Sequence, residues 1–531
     1  MFSRTSRPLV QQCIRRSRGI SRFQPRRYAS SENRVSPSSS EPTGPPPVNP
    51  IHDRFYSSAS TSIDVLRRFF IFSAIGLVFV GATTFTALFA THVWVENVEL
   101  APETDEEVHK WQWDLEAERW SGPFGGTDPG LGLKGRMAVR SAWAAQHWGT
   151  GPGLGAMGSR TAVHGGKKSG DLDIVEARLE YAQDFLNIAI NIAVKENTLG
   201  NVCPGTVTEL IARHANIMER MGTRDALYEA RAGYERVWAG LPSKGLDAAR
   251  IALKLGDVNA RLGDRVAALH WWARSLQLTT DQQPSDAQTT IPAIPPAPPS
   301  APIAQRTLAS TLVSLSAHYA TTGDLKQAQA VEESSLNLLR SIPQPQSAES
   351  ASPPQALHAL YLLHRSSLIS IHLAEVLYAR KVKTADSVQW LYRAAESSER
   401  VAQSLVGRPI EHPDAPGSRI PHPPSTEAPL VSAYAQNRSM KRPATSLLRD
   451  ARRTAAEAWS LMGILTERNG GSESIIKALE YYERALGWAG VSTDRAGGIG
   501  QAGEGTLEKE WTALWSNYVR VREAARKTRD T

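Results

Sequence analysis

The chain has 531 residues and a formal charge of +7, from 60 basic against 53 acidic side chains. The excess sits in residues 1–28, which hold eight arginines and no carboxylate; without them the balance is 52 to 53. The charge is therefore not a nucleic-acid footprint, and two cysteines, Cys13 and Cys203, give neither a disulfide framework nor a structural zinc site.

Arg4, Arg7, Arg15, Arg16, Arg18, Arg22, Arg26 and Arg27 all precede the first acid, Glu32. An Arg-rich, Ser-rich, acid-free start has the composition of a mitochondrial presequence, here residues 1–28. The run Arg26-Arg27-Tyr28-Ala29-Ser30 resembles a matrix-processing site, with the cut after Tyr28. Residues 29–66, rich in Ser, Pro and Asn, read as a disordered matrix linker, because they lack the apolar area to offset the entropy of ordering.

Residues 69–93 contain no Asp, Glu, Lys or Arg. About 20 apolar residues cross a bilayer core, so this stretch predicts one transmembrane helix. Arg67 and Arg68 precede it; Glu96, Glu99, Glu103, Glu106 and Glu107 follow it. Basic residues stay on the side that does not cross, which predicts a matrix N-terminus and an intermembrane-space C-terminal part, integral to the mitochondrial inner membrane. Trp94 then falls at the interface.

Residues 94–165 are rich in Trp and Gly, with two short helices expected at 104–120 and 134–148 around a glycine-rich turn. Trp111, Trp113, Trp120, Trp143 and Trp148 are read either as a docking surface near the bilayer or as packing against the first repeat. Gly153 to Gly158 spell G-x-G-x-x-G, but the stretch follows a helix and not a strand, which argues against a pyrophosphate cradle. Gly165-Gly166-Lys167-Lys168-Ser169 lacks the spacing of a P-loop. No H-E-x-x-H occurs, and Cys203 has no identifiable His or Asn partner. No catalytic residue, cofactor or metal is expected.

From 171 to 531 the pattern is all-α: Ala, Leu, Glu and Arg at helical spacing, interrupted by Pro-rich insertions at 281–304, 341–356 and 407–445. Residues 171–195 form an amphipathic helix ahead of the repeats. The clearest unit, 455–486, resembles a tetratricopeptide (TPR) repeat. It has Trp459 and Gly463 in its first helix, Ala478, Tyr482 and Ala485 in its second, and a three-residue insertion between them. Small residues let the two helices approach, and the aromatic fills the gap to the next pair. Four further copies bring the number to five. In 249–278 the residues are Gly256, Gly263, Ala268, Trp272 and Ser275. In 309–340 they are Tyr319, Gly323, Ala328 and Ser335. In 368–401 they are Tyr378, Ser387 and Ala394, with Glu375 in the small-residue slot. In 211–242 only Ala230, Tyr234, Val237 and Pro242 match. Residues 506–528 predict a capping helix. The expected fold is a single transmembrane helix followed by a TPR-like solenoid.

Arg261, Arg380 and Arg468 recur near the C-terminal end of the first helix in three copies. They are candidate groove contacts for acidic or carbonyl groups of an extended polypeptide, or cations placed by the helix dipole. The order presequence, linker, single span and TPR-like domain resembles the TPR-containing adaptor subunit of the fungal mitochondrial i-AAA protease complex. That resemblance implies a non-catalytic adaptor, capturing misfolded client proteins for the inner-membrane metalloprotease. An assembly scaffold for an inner-membrane complex, an outer-membrane import receptor and an enzyme built on a helical frame stand as alternatives.

Overall fold

The computed structural model describes residues 50–116, 120, 122, 125–148, 156–158, 174–280, 292–345, 351–407, 429–490 and 511–530. The presequence, its processing site, residues 29–49 of the expected linker and the stretch Gly165–Ser169 lie outside them. The chain divides into two compact units within its first described helix, at Thr83 and Thr84.

That helix, α1, runs Pro50–Trp94. The linker expected to reach residue 66 is thus helical from Pro50. Proline suits the first helical position, and neither Pro nor Gly follows until Gly76. Within Val65–Glu99 an 18-residue window reaches a mean hydropathy of 2.0, and the helix is long and apolar enough to cross a membrane. Phe69, Phe72, Leu77 and Phe79 are 65–77% exposed, which suits a single-pass membrane anchor. The hydroxyls of Thr83 and Thr91 donate to the carbonyl oxygens of Phe79 and Ala87 at 2.9 Å, satisfying them within the helix.

The second unit is a stack of helix pairs. After the π-helical turn Val95–Glu99 come two short helices, α2 (Glu106–Lys110) and α3 (Trp113–Glu116). The single helix expected over 104–120 is broken here by Gln112, whose φ is 56°. Then follow α4 (Gly132–Trp148) and α5 (Ala177–Thr198), with β1 (Ala156–Gly158) pairing antiparallel to β2 (Ile174–Glu176) between them. The last residues of the G-x-G-x-x-G stretch therefore lie in a strand, not at a helix N-terminus.

The pairs continue as α6 (Thr206–Met221) with α7 (Arg224–Gly240), α8 (Leu246–Leu262) with α9 (Arg265–Thr279), and α10 (Pro302–Thr322) with α11 (Leu325–Ser341). Next are α12 (Pro353–Ala379) with α13 (Thr384–Val406), the short α14 (Ser432–Ala435), and α15 (Arg438–Arg468) with α16 (Ser472–Ala489). The final helix, α17 (Trp511–Asp530), packs on α16.

Three turns within pairs share one chemistry. Gly222, Gly263 and Gly323 end α6, α8 and α10 with φ of 74°, 87° and 82°, a conformation that favours glycine. The next residue caps the following helix: the side chains of Thr223, Asp264 and Asp324 accept from the amides of Ala226, Ala267 and Gln327. Gly323 is accordingly a turn residue, with open space where a side chain would go, and not a packing contact.

The first helices α8, α10, α12 and α15 touch one another in sequence, and each touches the preceding second helix. The second helices α9, α11, α13 and α16 pack chiefly on first helices, which leaves them on the outside.

Within the expected Trp- and Gly-rich segment, α4 pairs with α5 as an additional repeat ahead of the expected ones. Its interface is alanine on alanine: Ala142, Ala145, Ala182, Ala189 and Ala193 are fully buried. With no aromatic slot, this pair carries no TPR signature to read. Glu96, just beyond α1, accepts from Arg136 at 2.8 Å and Arg140 at 2.6 Å, both on α4, and from the Thr127 hydroxyl at 2.8 Å.

Candidate functional site

The repeat residues pack as pairs. Gly256 faces the Trp272 indole so closely that a Cβ there would lie 2.4 Å from the ring. Gly463 faces Tyr482 in the same way, at 2.8 Å. The aromatic thus closes its own pair, and Trp272 also meets His318 of the next pair edge-on at 5.3 Å. Its indole N–H donates to Asp257 at 3.0 Å, and the hydroxyls of Tyr234 and Tyr482 donate to Glu219 and Glu467 at 2.7 and 3.3 Å. In all three the acceptor stands 15 residues earlier, near the end of the first helix. Ala268, Ala328, Ala394, Ala478 and Ala485 are buried at no more than 1% exposure. Tyr319 and Tyr378 are half-buried.

Trp459 reaches outside its pair. Its indole N–H donates to Glu399 of α13 at 2.6 Å, and that of Trp488 donates to the same oxygen at 2.7 Å. Arg484 adds a hydrogen bond at 2.7 Å to this buried carboxylate and lies over the Trp459 ring. One side chain of α13 therefore fixes both helices of the following pair.

The edge made by the first turns of α8, α10, α12 and α15 carries a strap from the same chain, residues 98–116. Arg438 donates to the Val98 carbonyl at 2.9 Å, and Ser439 to Glu103 at 2.5 Å. Burial alone would raise the Glu103 carboxyl; hydrogen bonds from Ser439, Thr104 and Asp105 reverse this and hold it below its usual value. Ser352 donates to Glu107 at 2.9 Å, Trp113 to the Pro354 carbonyl at 2.9 Å, and Arg250 to the Leu115 carbonyl at 2.9 Å. At the centre lies Arg306, 1% exposed. It donates to Glu116 at 2.6 Å and to the carbonyls of Trp111 and Gln112 at 3.1 and 3.0 Å.

This arrangement corrects the docking role considered for the tryptophans. Trp113, Trp120 and Trp143 are buried, and Trp111 packs its ring on His358 at 5.2 Å. They anchor the strap and the first pair. Trp148 alone of the five stays exposed, at 45%.

The three arginines read as a groove ladder are exposed but occupied. Arg261 donates to the Glu219 carbonyl at 3.0 Å, Arg380 to Gln329, and Arg468 to the Tyr378 hydroxyl. Each reaches back to the preceding pair at the C-terminal end of a first helix, where the helix dipole favours a cation.

Between α10, α11 and α12 lies a polar knot. Ser316 donates to Glu332 at 3.0 Å, and its oxygen is 2.9 Å from His372 Nδ1. Burial pushes Glu332 up to about 8, with Glu375 and Glu333 reinforcing it against the Ser316 hydrogen bond, and pushes His372 down to about 4. Ser316 and Glu332 have no exposed surface, so the hydroxyl faces no substrate. Among the described residues no group of three or more His, Cys, Asp or Glu side chains is placed to hold a metal ion.

Sequence reading missed Arg306, Glu399 and Glu96. Each acts across a long stretch of chain, and nothing in its immediate neighbourhood marks it. The repeated Gly-Asp and Gly-Thr turns were the available signal for the pair boundaries.

No protein-family model matches the chain. No curated protein matches it. Among solved structures it is similar to one described as a circular tandem repeat protein with novel repeat topology and enhanced subunit contact surfaces. The identity is 9%, over 76% of this chain and 72% of that one, with a TM-score of 0.21. At that score the likeness carries no argument, and the repeat architecture rests on the pairing of this chain's own helices.

Proposed function

We propose that the chain is a membrane-anchored, non-catalytic adaptor that holds unassembled or misfolded membrane proteins for the mitochondrial inner-membrane i-AAA protease. The observation that carries this reading is the direct succession of an exposed apolar helix and a stack of helix pairs. Such a stack offers extended surface to other polypeptides, and a membrane tether raises its effective concentration for partners in the same bilayer. The acid-free, Arg-rich start and the basic flank of the apolar helix support a mitochondrial inner-membrane location with the repeats in the intermembrane space.

Affinity purification of the tagged protein from detergent-solubilised mitochondria, read by mass spectrometry, tests the partner. Recovery of the i-AAA metalloprotease supports the adaptor. Recovery of respiratory or cristae subunits without the protease assigns the chain to assembly scaffolding instead. Release of the protein by alkaline carbonate would overturn the anchor.

A further inference from the structure

The outer helices carry arginines placed over tryptophan rings. Trp271 and Arg274 on α9, and Trp390 and Arg393 on α13, stand three residues apart at equivalent places in their pairs, so each couple shares a helix face. The Arg274 guanidinium lies 5.2 Å from the Trp271 ring and 5.7 Å from that of Trp238 on α7. Arg393 lies 5.0 Å from Trp390, and Arg340 of α11 approaches the same ring at 5.7 Å. The third such couple, Tyr481 and Arg484, differs, because Arg484 is engaged by Glu399.

Among the described residues Arg274, Arg340 and Arg393 have no acid or carbonyl partner; their contacts are aromatic faces. A guanidinium held over a ring face can still offer its planar fork of donors to a carboxylate. On α9 local charge is not balanced from within. α9 contains Arg265, His270 and Arg274 and no acid. Lys244 adds a second cation 4.5 Å from the Trp238 ring. Nearby carboxylates are engaged elsewhere: Glu235 by Arg231, and Glu396 by the Tyr392 hydroxyl.

We infer that this outer face, built on α9, α11 and α13, binds an acidic, extended segment of a partner polypeptide. The inner edge is already covered by the strap, and the groove arginines are committed to neighbouring pairs, whereas this cationic surface is open among the described residues. A bilayer suits it less well. Trp238 and Trp271 are half-buried and set edge-to-face at 5.0 Å, so they are not free to sink among acyl chains, and what the face offers is donor edges. The inference goes beyond the adaptor reading and depends on neither the compartment nor the protease.

The test uses the full-length protein in detergent micelles and a fluorescein-labelled polyglutamate of about 20 residues, read by fluorescence anisotropy against salt. Saturable binding that weakens with salt is expected. Replacing Arg274, Arg340 and Arg393 together by Ala is expected to weaken it at least about tenfold, since hydrogen bonds to charged groups are strong. Their joint replacement by Lys should restore only part, because charge returns without the fork. A control variant with Lys134, Lys195 and Lys477 replaced by Ala removes the same charge from exposed sites on other helices and should change binding less than twofold. Circular dichroism confirms that each variant keeps its helix content. Absence of polyglutamate binding, equal loss in the control, or preference for phosphatidylserine vesicles over polyglutamate would overturn the inference.

Discussion

The Arg306 guanidinium lies 3.9 Å from the centroid of the Trp113 indole, although 193 positions separate the two in the chain. The same guanidinium satisfies two carbonyl oxygens of the strap and the Glu116 carboxylate. A segment that directly follows the apolar helix is thus part of the repeat core, and this contact decides how firmly.

Replacing Arg306 by Ala leaves two buried carbonyls and a carboxylate without donors. A loss of about 3–5 kcal/mol is expected, the usual cost of breaking a buried pair from one side. Arg306→Lys should recover only part, since an ammonium cannot span the fork. Denaturant midpoints measure the loss, and limited proteolysis under native conditions should show new cleavage between residues 98 and 116. Unchanged protease resistance in Arg306→Ala would mean that the strap is held by its other contacts.

The glycine contacts make a ranked prediction. A Cβ at Gly256 would lie 2.4 Å from the Trp272 ring, so Gly256→Ala should destabilise by about 1–3 kcal/mol through overpacking. At Gly463 the approach is 2.8 Å, to the edge of Tyr482. The smaller clash means that Gly463→Ala should destabilise as well, but less than Gly256→Ala, since the helix preference of Ala, up to about 1 kcal/mol, is the same at both sites. Thermal midpoints of the two variants should fall in that order.

Glu399 offers a test of coupling between pairs. Glu399→Ala strands two indole N–H groups and Arg484, and is expected to cost about 3–5 kcal/mol. Glu399→Gln keeps an acceptor for the indoles and should cost less. The readout is cooperativity: if Glu399 joins the last pair to the rest, the Ala variant should unfold in two steps. A single transition at a lower midpoint would show that the α13–α15 interface suffices without it.

Stability should fall on both sides of mildly acidic pH. His358 and His364 are held at about 3, and His214 and His372 at about 4, with burial the main cause in each. Nearby arginines add to it for the first three, Arg306 in the case of His358. Their folded values lie below the unfolded one of about 6.5, so the unfolded state takes up protons first, and stability is lost as pH drops from 6.5 toward 3. Glu332 is held at about 8, above its unfolded value, so its contribution is full below about 4.5 and is lost as pH rises through 8. Glu332→Gln should flatten the alkaline limb and leave the acid limb in place. Denaturation midpoints between pH 4 and 9 measure both.

What the sequence determined by itself was local and periodic. The apolar span, the helical spacing and the small–aromatic–small runs of Ala268 with Trp272 and Ala478 with Tyr482 are legible because helix formation and pair packing repeat over a few residues. Tertiary structure alone decided that Trp113, Trp120 and Trp143 are core, that α4 and α5 make a further pair, and that the groove arginines are ties between repeats. The physical reason is distance along the chain. Arg306 and Glu116 are 190 residues apart, and Ser439 and Glu103 are 336 apart. A side chain's partner at that separation is set by how the pairs stack, and no window of sequence contains both.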